Sequence, residues 1–301
     1  MFVRQMNYLV ALAREKHFGR AAEACNVSQP TLSAGIRKLE QELGVPIVVR
    51  GHRFLGLTAE GERVLGWARQ IVADYDSLRQ ERAETGGRLT GTLRVGVIPA
   101  TVPAAPLLLA PFRVRHPEVK VQMLAVSSAT IQRGLDELEL DAGITYLDNE
   151  PLNRVRRLTL YRERYVFVVR ADNPMAQQRT VGWAEAAAAP LCLLTPDMQN
   201  RRIVDQVMAE EGLASRPLVE TNSFMGVWSF IRHAGLASIV PLACLREGAT
   251  ADLIAVPLAE PVHNQPIGLV ISDRDPVSPV ADALFRMAGR ADRDALFRPI
   301  S

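Results

Sequence analysis

The sequence predicts a mixed α/β chain: a compact helical N-terminal fifth, one long connecting helix, and a C-terminal region in which strands and helices alternate. Three observations predict it. Apolar residues recur at helical spacing up to Gly44, a 3.5-residue apolar repeat runs from Val64 to Leu78, and beyond Thr85–Gly91 (TGGRLTG) short apolar strand patterns alternate with helical ones. At 301 residues, 48% hydrophobic and 23% charged, the chain has the composition of a globular protein able to bury a core without disulfide staples, in one large domain or two.

Composition also removes function classes. The apolar run from Val102 to Phe112 contains three prolines and falls well short of the ~18–20 residues a bilayer span needs. The N-terminus has no long apolar stretch with a small-residue cleavage site, so a cytoplasmic protein is expected. Cys25, Cys192 and Cys244 are odd in number and far apart, which fits neither a disulfide framework nor a CxxC site. The net charge of +2 is unevenly spread: up to Thr58 there are eight Arg/Lys against four Asp/Glu. A basic segment of that size suits nucleic acid, and also suits an ordinary solvated surface.

The N-terminal elements decide between those readings. Met6, Leu9, Val10, Leu12 and Ala13 make a helical stripe, and Ala21, Ala22 and Cys25 form the small inner face of a second, short helix. After Asn26 and Val27, Ser28 stands where an N-cap is wanted and Pro30 is tolerated in a first turn. In the third helix Leu32, Ile36, Leu39 and Leu43 fall within a ~60° arc and form the buried face. The other face is short and polar at its start and basic one turn on. It lets the helix N-terminus approach base edges, with Gln29 and Thr31 as hydrogen-bonding groups and Arg37 and Lys38 reaching phosphates or guanine. A surface amphipathic helix would carry a similar pattern.

Gly44 closes this helix, and Val45–Val49 with Phe54–Leu57 read as two short strands around the basic turn Arg50-Gly51-His52-Arg53, a wing whose Arg50 and Arg53 would lie along phosphates or the minor groove. Thr58 caps the next helix, expected over Ala59 to Ala83, where Val64, Ala68, Ile71, Tyr75 and Leu78 are spaced 4, 3, 4, 3. Such a seam pairs helices between two chains or packs on its own domain. A dimer would give a pseudo-palindromic DNA site.

The residues from Asn7 to Gly61 resemble the LysR-type transcriptional regulators. The resemblance rests on Ala21-Ala22, SQPTLS at Ser28–Ser33, IRKLEQELG at Ile36–Gly44, RGHR at Arg50–Arg53, and Leu57-Thr58. It implies a winged helix-turn-helix over residues 1–58, a linker (dimerisation) helix and hinge over 59–88, and an effector-binding regulatory domain over 89–301. The expected DNA-binding residues are Ser28, Gln29, Pro30, Thr31, Ser33, Arg37, Lys38, Arg50 and Arg53.

In the remaining two thirds, strands are expected at Leu93–Ile98, Val119–Val126, Ala142–Tyr146, Val155–Leu160, Tyr165–Arg170, Leu191–Thr195, Leu218–Thr221, Ser238–Pro241, Leu253–Pro257 and Ile267–Ser272, arranged as parallel βαβ units. Three junctions from a strand to a helix start are rich in hydroxyls: Ile98–Thr101, Ser127–Thr130 and Thr221–Phe224. Helix N-termini favour anions or polar ligands, though N-capping explains any single one equally well. The family resemblance extends here through GTLRVGVIPA, FRVRHPEVKV and GLDELELDAGI. It implies two lobes like those of periplasmic solute-binding proteins, joined by crossover strands near Leu160–Val166 and Asn264–Val270, lobe I over 89–162 and 268–301 and lobe II over 163–267, with the effector between them. Mapped onto this chain, the effector contacts are Thr101, Ser128, Thr130, Thr195, Asn222 and Phe224. Arg201 and Arg202 are candidates to hold a carboxylate, or are solvated helix-start arginines.

The sequence contains no G-x-x-x-x-G-K-[ST], G-x-S-x-G or H-E-x-x-H, and its five histidines have no ligand-like spacing. A non-enzymatic protein without cofactor or metal is expected. Its expected partners are double-stranded DNA, a small polar or anionic effector, and itself, as a dimer through the linker helix and a tetramer by resemblance, with no membrane. The rival is a solute-binding or small-molecule enzyme domain with a helical cap.

Overall fold

The computed structural model describes residues 2–49, 54–84, 88–148, 152–245 and 252–297. The chain divides into two compact units. The first is Met1–Thr90 with the short segments Asp136–Glu139 and Asp275–Pro279, and the second is the rest from Gly91 onward.

The first unit starts with α1 (Phe2–Glu15), α2 (Phe18–Ala24) and α3 (Gln29–Leu43). Met6, Leu9 and Leu12 of α1 meet Ala21 and Ala22 of α2 and Leu32, Ile36 and Leu39 of α3 in one core. Close approach depends on missing side chains: a Cβ on Gly35 would sit 2.6 Å from the Tyr8 ring. The Ser28 side chain accepts from the Thr31 amide and caps α3, and Gly44 ends it in the left-handed region at φ 70°. Leu43, expected on the buried face, is instead 38% exposed, because it is the last residue of the helix and no further turn covers it.

The two strands expected of the wing reduce to one antiparallel bridge, Val48 to Leu57, with the Val49 amide donating to the Gly56 carbonyl at 3.0 Å. Arg50 and Arg53 lie outside the described residues. Glu40 of α3 accepts from the amides of Ile47 and Val48 at 2.7 and 3.0 Å, which fixes the base of the wing to the helix. Thr58 caps α4 (Ala59–Glu84), accepting from the Gly61 amide at 2.8 Å and donating to the Pro46 carbonyl at 2.6 Å. A Cβ on Gly61 would lie 2.1 Å from the Ile47 carbonyl oxygen, so only glycine fits there.

The second unit contains β1 (Gly91–Val97), α5 (Ala105–Arg115), β2 (Val119–Ala125), α6 (Ser128–Asp136), β3 (Ala142–Tyr146) and β4 (Val155–Arg170). There follow α7 (Trp183–Ala188), β5 (Cys192–Leu194), α8 (Gln199–Glu210), β6 (Val219–Thr221), α9 (Phe224–Ala234) and β7 (Ser238–Pro241). Last come β8 (Leu253–Pro257), β9 (Asn264–Ser272), α10 (Pro279–Arg290) and the short α11 (Arg293–Leu296). The main sheet runs β2-β1-β3-β9-β4-β7 with β8 also on β4, and β5 pairs separately with β6.

Two expectations are corrected. The β1–β2, β1–β3 and β5–β6 pairs are parallel, but β4 and β9 run antiparallel to their partners, so the sheet is mixed. The two strands expected at Val155–Leu160 and Tyr165–Arg170 are one 16-residue strand with a register shift between Thr159 and Tyr161. The charged stretch Arg162-Glu163-Arg164 reads as a break, yet it pairs with Pro266, Gln265 and Asn264 of β9; the two arginines face solvent and Glu163 is buried.

Candidate functional sites: an exposed helix face and a buried polar cluster

On α3, the face opposite the core presents Gln29, Pro30, Thr31, Arg37 and Lys38 to solvent, while Ser33 is half-buried. The Ser28 and Thr31 hydroxyls share a 2.8 Å hydrogen bond, which settles the first turn. Lys38 lies 3.9 Å from Glu42, a pair exposed enough to exchange for a phosphate at little cost. His17, which the sequence showed only as one of five scattered histidines, is a helix cap: its Nδ1 accepts from the amides of Gly19 and Arg20 at 3.1 and 3.3 Å.

On α4, Leu65 and Ala68 are buried in the helical core and Val64, Ile71 and Val72 pack against it. Trp67, Tyr75 and Leu78 stand 71%, 46% and 55% exposed. The apolar seam is thus shared: Ala68 serves its own unit, and the uncovered stripe passes through Trp67, which the heptad count missed.

In the second unit the starts of α6 and α8 meet. Ser128 Oγ donates to Gln199 Oε1 at 2.6 Å and accepts from the Thr145 hydroxyl at 3.0 Å, all within the interior. Gln199 Nε2 and Thr195 Oγ1 are buried with no hydrogen-bond partner among the described residues. Such orphaned polar atoms are costly and signal a position for a water or a ligand. Gln199 and Thr145 were not legible as site residues. One sits in a polar run before Arg201 and the other in an apolar strand, and only the tertiary contact joins them.

The other expected effector residues are placed variously. Thr101 is fully buried and its hydroxyl donates to the Ile98 carbonyl at 3.0 Å. Thr130 is half-buried, its hydroxyl 3.0 Å from that of Ser127. Asn222 is exposed, and Phe224 stacks on Trp228 with centroids 6.1 Å apart. Arg201 neither faces solvent nor offers itself to a carboxylate ligand. It is 7% exposed, bound to Asp205 at 2.8 Å and Glu220 at 2.6 Å, and donates to the Leu194 carbonyl. Arg202 donates to the Asp197 carbonyl at 2.8 Å.

Beside this cluster lies a second buried network. Glu163 accepts from Tyr146 at 3.0 Å and Tyr161 at 3.4 Å, the Tyr146 and Tyr165 hydroxyls are 3.2 Å apart, and Asn200 donates to Tyr165 at 3.3 Å. Burial pushes the Glu163 carboxyl up to about 8, against the pull of the two tyrosine hydroxyls. Burial raises the thiol of Cys25, pushes Cys192 up to about 11, and together with the nearby Glu163 raises Cys244 well above the ordinary thiol range.

A capped helix with a polar and basic outer face, joined in the same chain to an α/β unit with a buried polar cluster, defines a DNA-binding regulator with a ligand-sensing domain. Residues 3–62 match the family described as bacterial regulatory helix-turn-helix protein, lysR family, and residues 86–293 match the LysR substrate binding domain. The chain belongs to the lysR family of transcriptional regulators, whose members bind DNA and effectors and form oligomers. It is 28% identical to the DNA-binding transcriptional dual regulator OxyR of Escherichia coli K12, covering 97% of this chain and 98% of that one. It is 32% identical to the SDS degradation transcriptional activation protein of a Pseudomonas species, covering 99% and 98%. A full-length OxyR variant from Pseudomonas aeruginosa superposes with a TM-score of 0.75 at 27% identity, covering 95% and 96%. CbnR bound to its target DNA shares the fold, with a TM-score of 0.68 at 20% identity over 96% and 99%. Among the described residues no helix is long and apolar enough to cross a membrane.

Proposed function

We propose that this chain is a cytoplasmic, non-enzymatic regulator whose binding to promoter DNA is modulated by a small polar or anionic metabolite held between two lobes of the regulatory domain. In this reading residues 1–58 bind DNA, 59–88 pair two chains, and 89–301 form the sensor, with lobe I at 89–162 and 268–301 and lobe II at 163–267. Ser28, Gln29, Pro30, Thr31, Ser33, Arg37 and Lys38 carry the DNA contact, with Arg50 and Arg53 on the wing. The observation that carries the sensor reading is the pair of orphaned buried atoms, Gln199 Nε2 and Thr195 Oγ1, beside the Ser128–Gln199 hydrogen bond. An effector carbonyl or carboxylate oxygen would supply the missing acceptor for the Gln199 amide. The ligand shifts a two-state balance by binding one arrangement better than the other, and no bond need be made or broken.

The similarity to OxyR and to proteins called hydrogen peroxide-inducible genes activators raises a second reading, in which peroxide oxidises a cysteine. Peroxide reacts with thiolates. All three thiols here are raised and two are buried, which favours the non-covalent ligand.

A thermal-shift screen of the full-length protein against small carboxylates, inorganic anions, sugar phosphates and hydrogen peroxide tests both. A ligand at ~100 times its Kd stabilises the native state by about 2.7 kcal/mol. A carboxylate, anion or sugar phosphate that raises the melting temperature in wild type and not in Ser128→Ala supports the sensor reading. A shift given by peroxide alone, and lost when the cysteines become serine, overturns it.

A further inference from the structure

The outer face of α3 includes the exposed residues Pro30, Thr31, Ala34, Arg37, Lys38 and Gln41. At about 100° per residue they cover an arc of about 120°, in the order Arg37, Pro30, Gln41, Ala34, Lys38, Thr31, and the middle of that arc falls on Ala34. The centre of the face is therefore a single methyl group with longer side chains around it. The helix has little freedom to roll away from this setting. Leu32, Ile36 and Leu39 are locked in the core on its other side, and a Cβ on Gly35 would sit 2.6 Å from the Tyr8 ring, so α1 and α3 are already in close contact. The hydroxyl of Thr31, at one margin of the face, is engaged by Ser28 at 2.8 Å.

We propose that Ala34 is a base-reading residue: each half-site bound by this chain contains a thymine whose C5 methyl packs against the Ala34 methyl in the major groove. The inference rests on the reading of α3 as the helix that contacts DNA, and goes beyond it by naming a base. Only thymine presents a methyl group in the major groove, and apolar contact from a small side chain recognises it. Cytosine or adenine at that place would turn an amino donor, and guanine a carbonyl, towards a group that can neither accept nor donate, and the displaced water would go unreplaced. Size matters as well as polarity. A methyl at the centre lets the helix sit close to the bases, so that Gln29 at its start and Arg37 a turn beyond Ala34 reach neighbouring base edges, whereas a long side chain there would hold the helix off. The positive charge of Arg37 and Lys38, on either side of Ala34, complements the phosphates that flank the groove. Pro30, the other apolar residue of the face, lies about 6 Å nearer the start of α3, more than one base-pair step away, so it meets a different base pair.

The test is anisotropy titration of the full-length protein on its own upstream duplex, with each thymine replaced in turn by deoxyuridine, since uracil differs from thymine only by the missing methyl. The expected result is a thymine in each half-site at which the replacement weakens wild-type binding about fourfold, the worth of one buried methyl-sized group. Ala34→Gly binds the unmodified duplex about fourfold more weakly and no longer distinguishes thymine from uracil at that position. Glycine weakens a helix, so circular dichroism and a second variant accompany it. Arginine is a strong helix former, and in Ala34→Arg the preference at the same base pair moves from thymine to guanine. A loss of less than twofold at every deoxyuridine in wild type, a uracil effect of equal size in wild type and Ala34→Gly, or a thymine preference kept in Ala34→Arg would each overturn the proposal, while specific binding of the unmodified duplex leaves α3 at the DNA. Equal wild-type affinity for that duplex and a scrambled one would overturn the α3 reading and the proposal with it.

Discussion

Ser128, the first residue of α6, and Gln199, the first residue of α8, are joined by a 2.6 Å hydrogen bond although 71 residues separate them in sequence. The bond brings together two helix starts at which backbone amides point outward. It consumes the acceptor of the Gln199 amide and leaves its donor unmet. Two helix N-termini and one unmet donor at a single place form a position that prefers a partially negative oxygen.

Ser128→Ala removes the donor to Gln199 and the acceptor for Thr145. Leaving buried groups unsatisfied costs about 1–3 kcal/mol. The expected outcome in a urea melt is a lower midpoint by that amount with an unchanged slope, together with loss of the effector response and retention of DNA binding. Wild-type stability in the variant would show that the hydrogen bond has no energetic weight.

Arg37→Ala removes a cation from the exposed face of α3. If it contacts a guanine edge, specific binding weakens by about 1–3 kcal/mol with little change in non-specific binding; if it contacts phosphate, both weaken and the salt slope falls by about one unit. Anisotropy titrations on the protein's own upstream DNA and on a scrambled duplex, at several salt concentrations, separate these. Unchanged affinity for both duplexes would remove α3 from the DNA interface.

Glu163 couples stability to pH. Its carboxyl is pushed up to about 8 from an ordinary 4.5, so between those values the folded chain holds a proton that the unfolded chain has lost. That contribution is fully present below about pH 4.5 and is lost as the pH rises towards 8. The limiting slope for one proton is about 1.4 kcal/mol per pH unit. In Glu163→Gln the neutral group is permanent, so stability falls less steeply than in wild type from about pH 5 to pH 8. Parallel pH profiles for the two proteins would place the titration elsewhere.

Trp67 is the largest side chain on the uncovered stripe of α4. If that stripe pairs two chains, Trp67→Ala removes an aromatic anchor worth about 2 kcal/mol, a dissociation constant raised ~30-fold. Sedimentation of wild type and variant over a concentration series measures it. An identical association constant would assign self-association to another surface.

Legibility in the sequence tracks how local each determinant is. The Ser28 cap, the Gly44 terminus and the Leu32, Ile36, Leu39 stripe depend on spacing within one helix, and the structure has them where spacing puts them. The Thr58 cap is legible for the same reason. Leu43 failed because burial at a helix end depends on whether the chain beyond it folds back as cover. The strand-by-strand pattern splits β4 because Arg162-Glu163-Arg164 looks polar; the crossover near Leu160–Val166 comes from the family resemblance, and only pairing with β9 reveals that Glu163 is buried among tyrosines. Arg201 looked free because Glu220 lies on β6, although Asp205, four residues on along the same helix, is a partner that spacing alone offers. Ser128 was legible as a hydroxyl at a helix start, whereas Gln199 had no local signal: its role exists only through a contact across 71 residues.

The most direct measurement is the affinity of the full-length protein for its own upstream DNA, by fluorescence anisotropy, with and without the ligand that the thermal-shift screen identifies, in wild type and in Gln199→Ala. The predicted result is that saturating ligand changes the wild-type affinity or the stoichiometry on DNA, while Gln199→Ala binds DNA as wild type does without ligand and no longer responds. A wild-type DNA affinity that is the same at zero and saturating ligand would contradict the account.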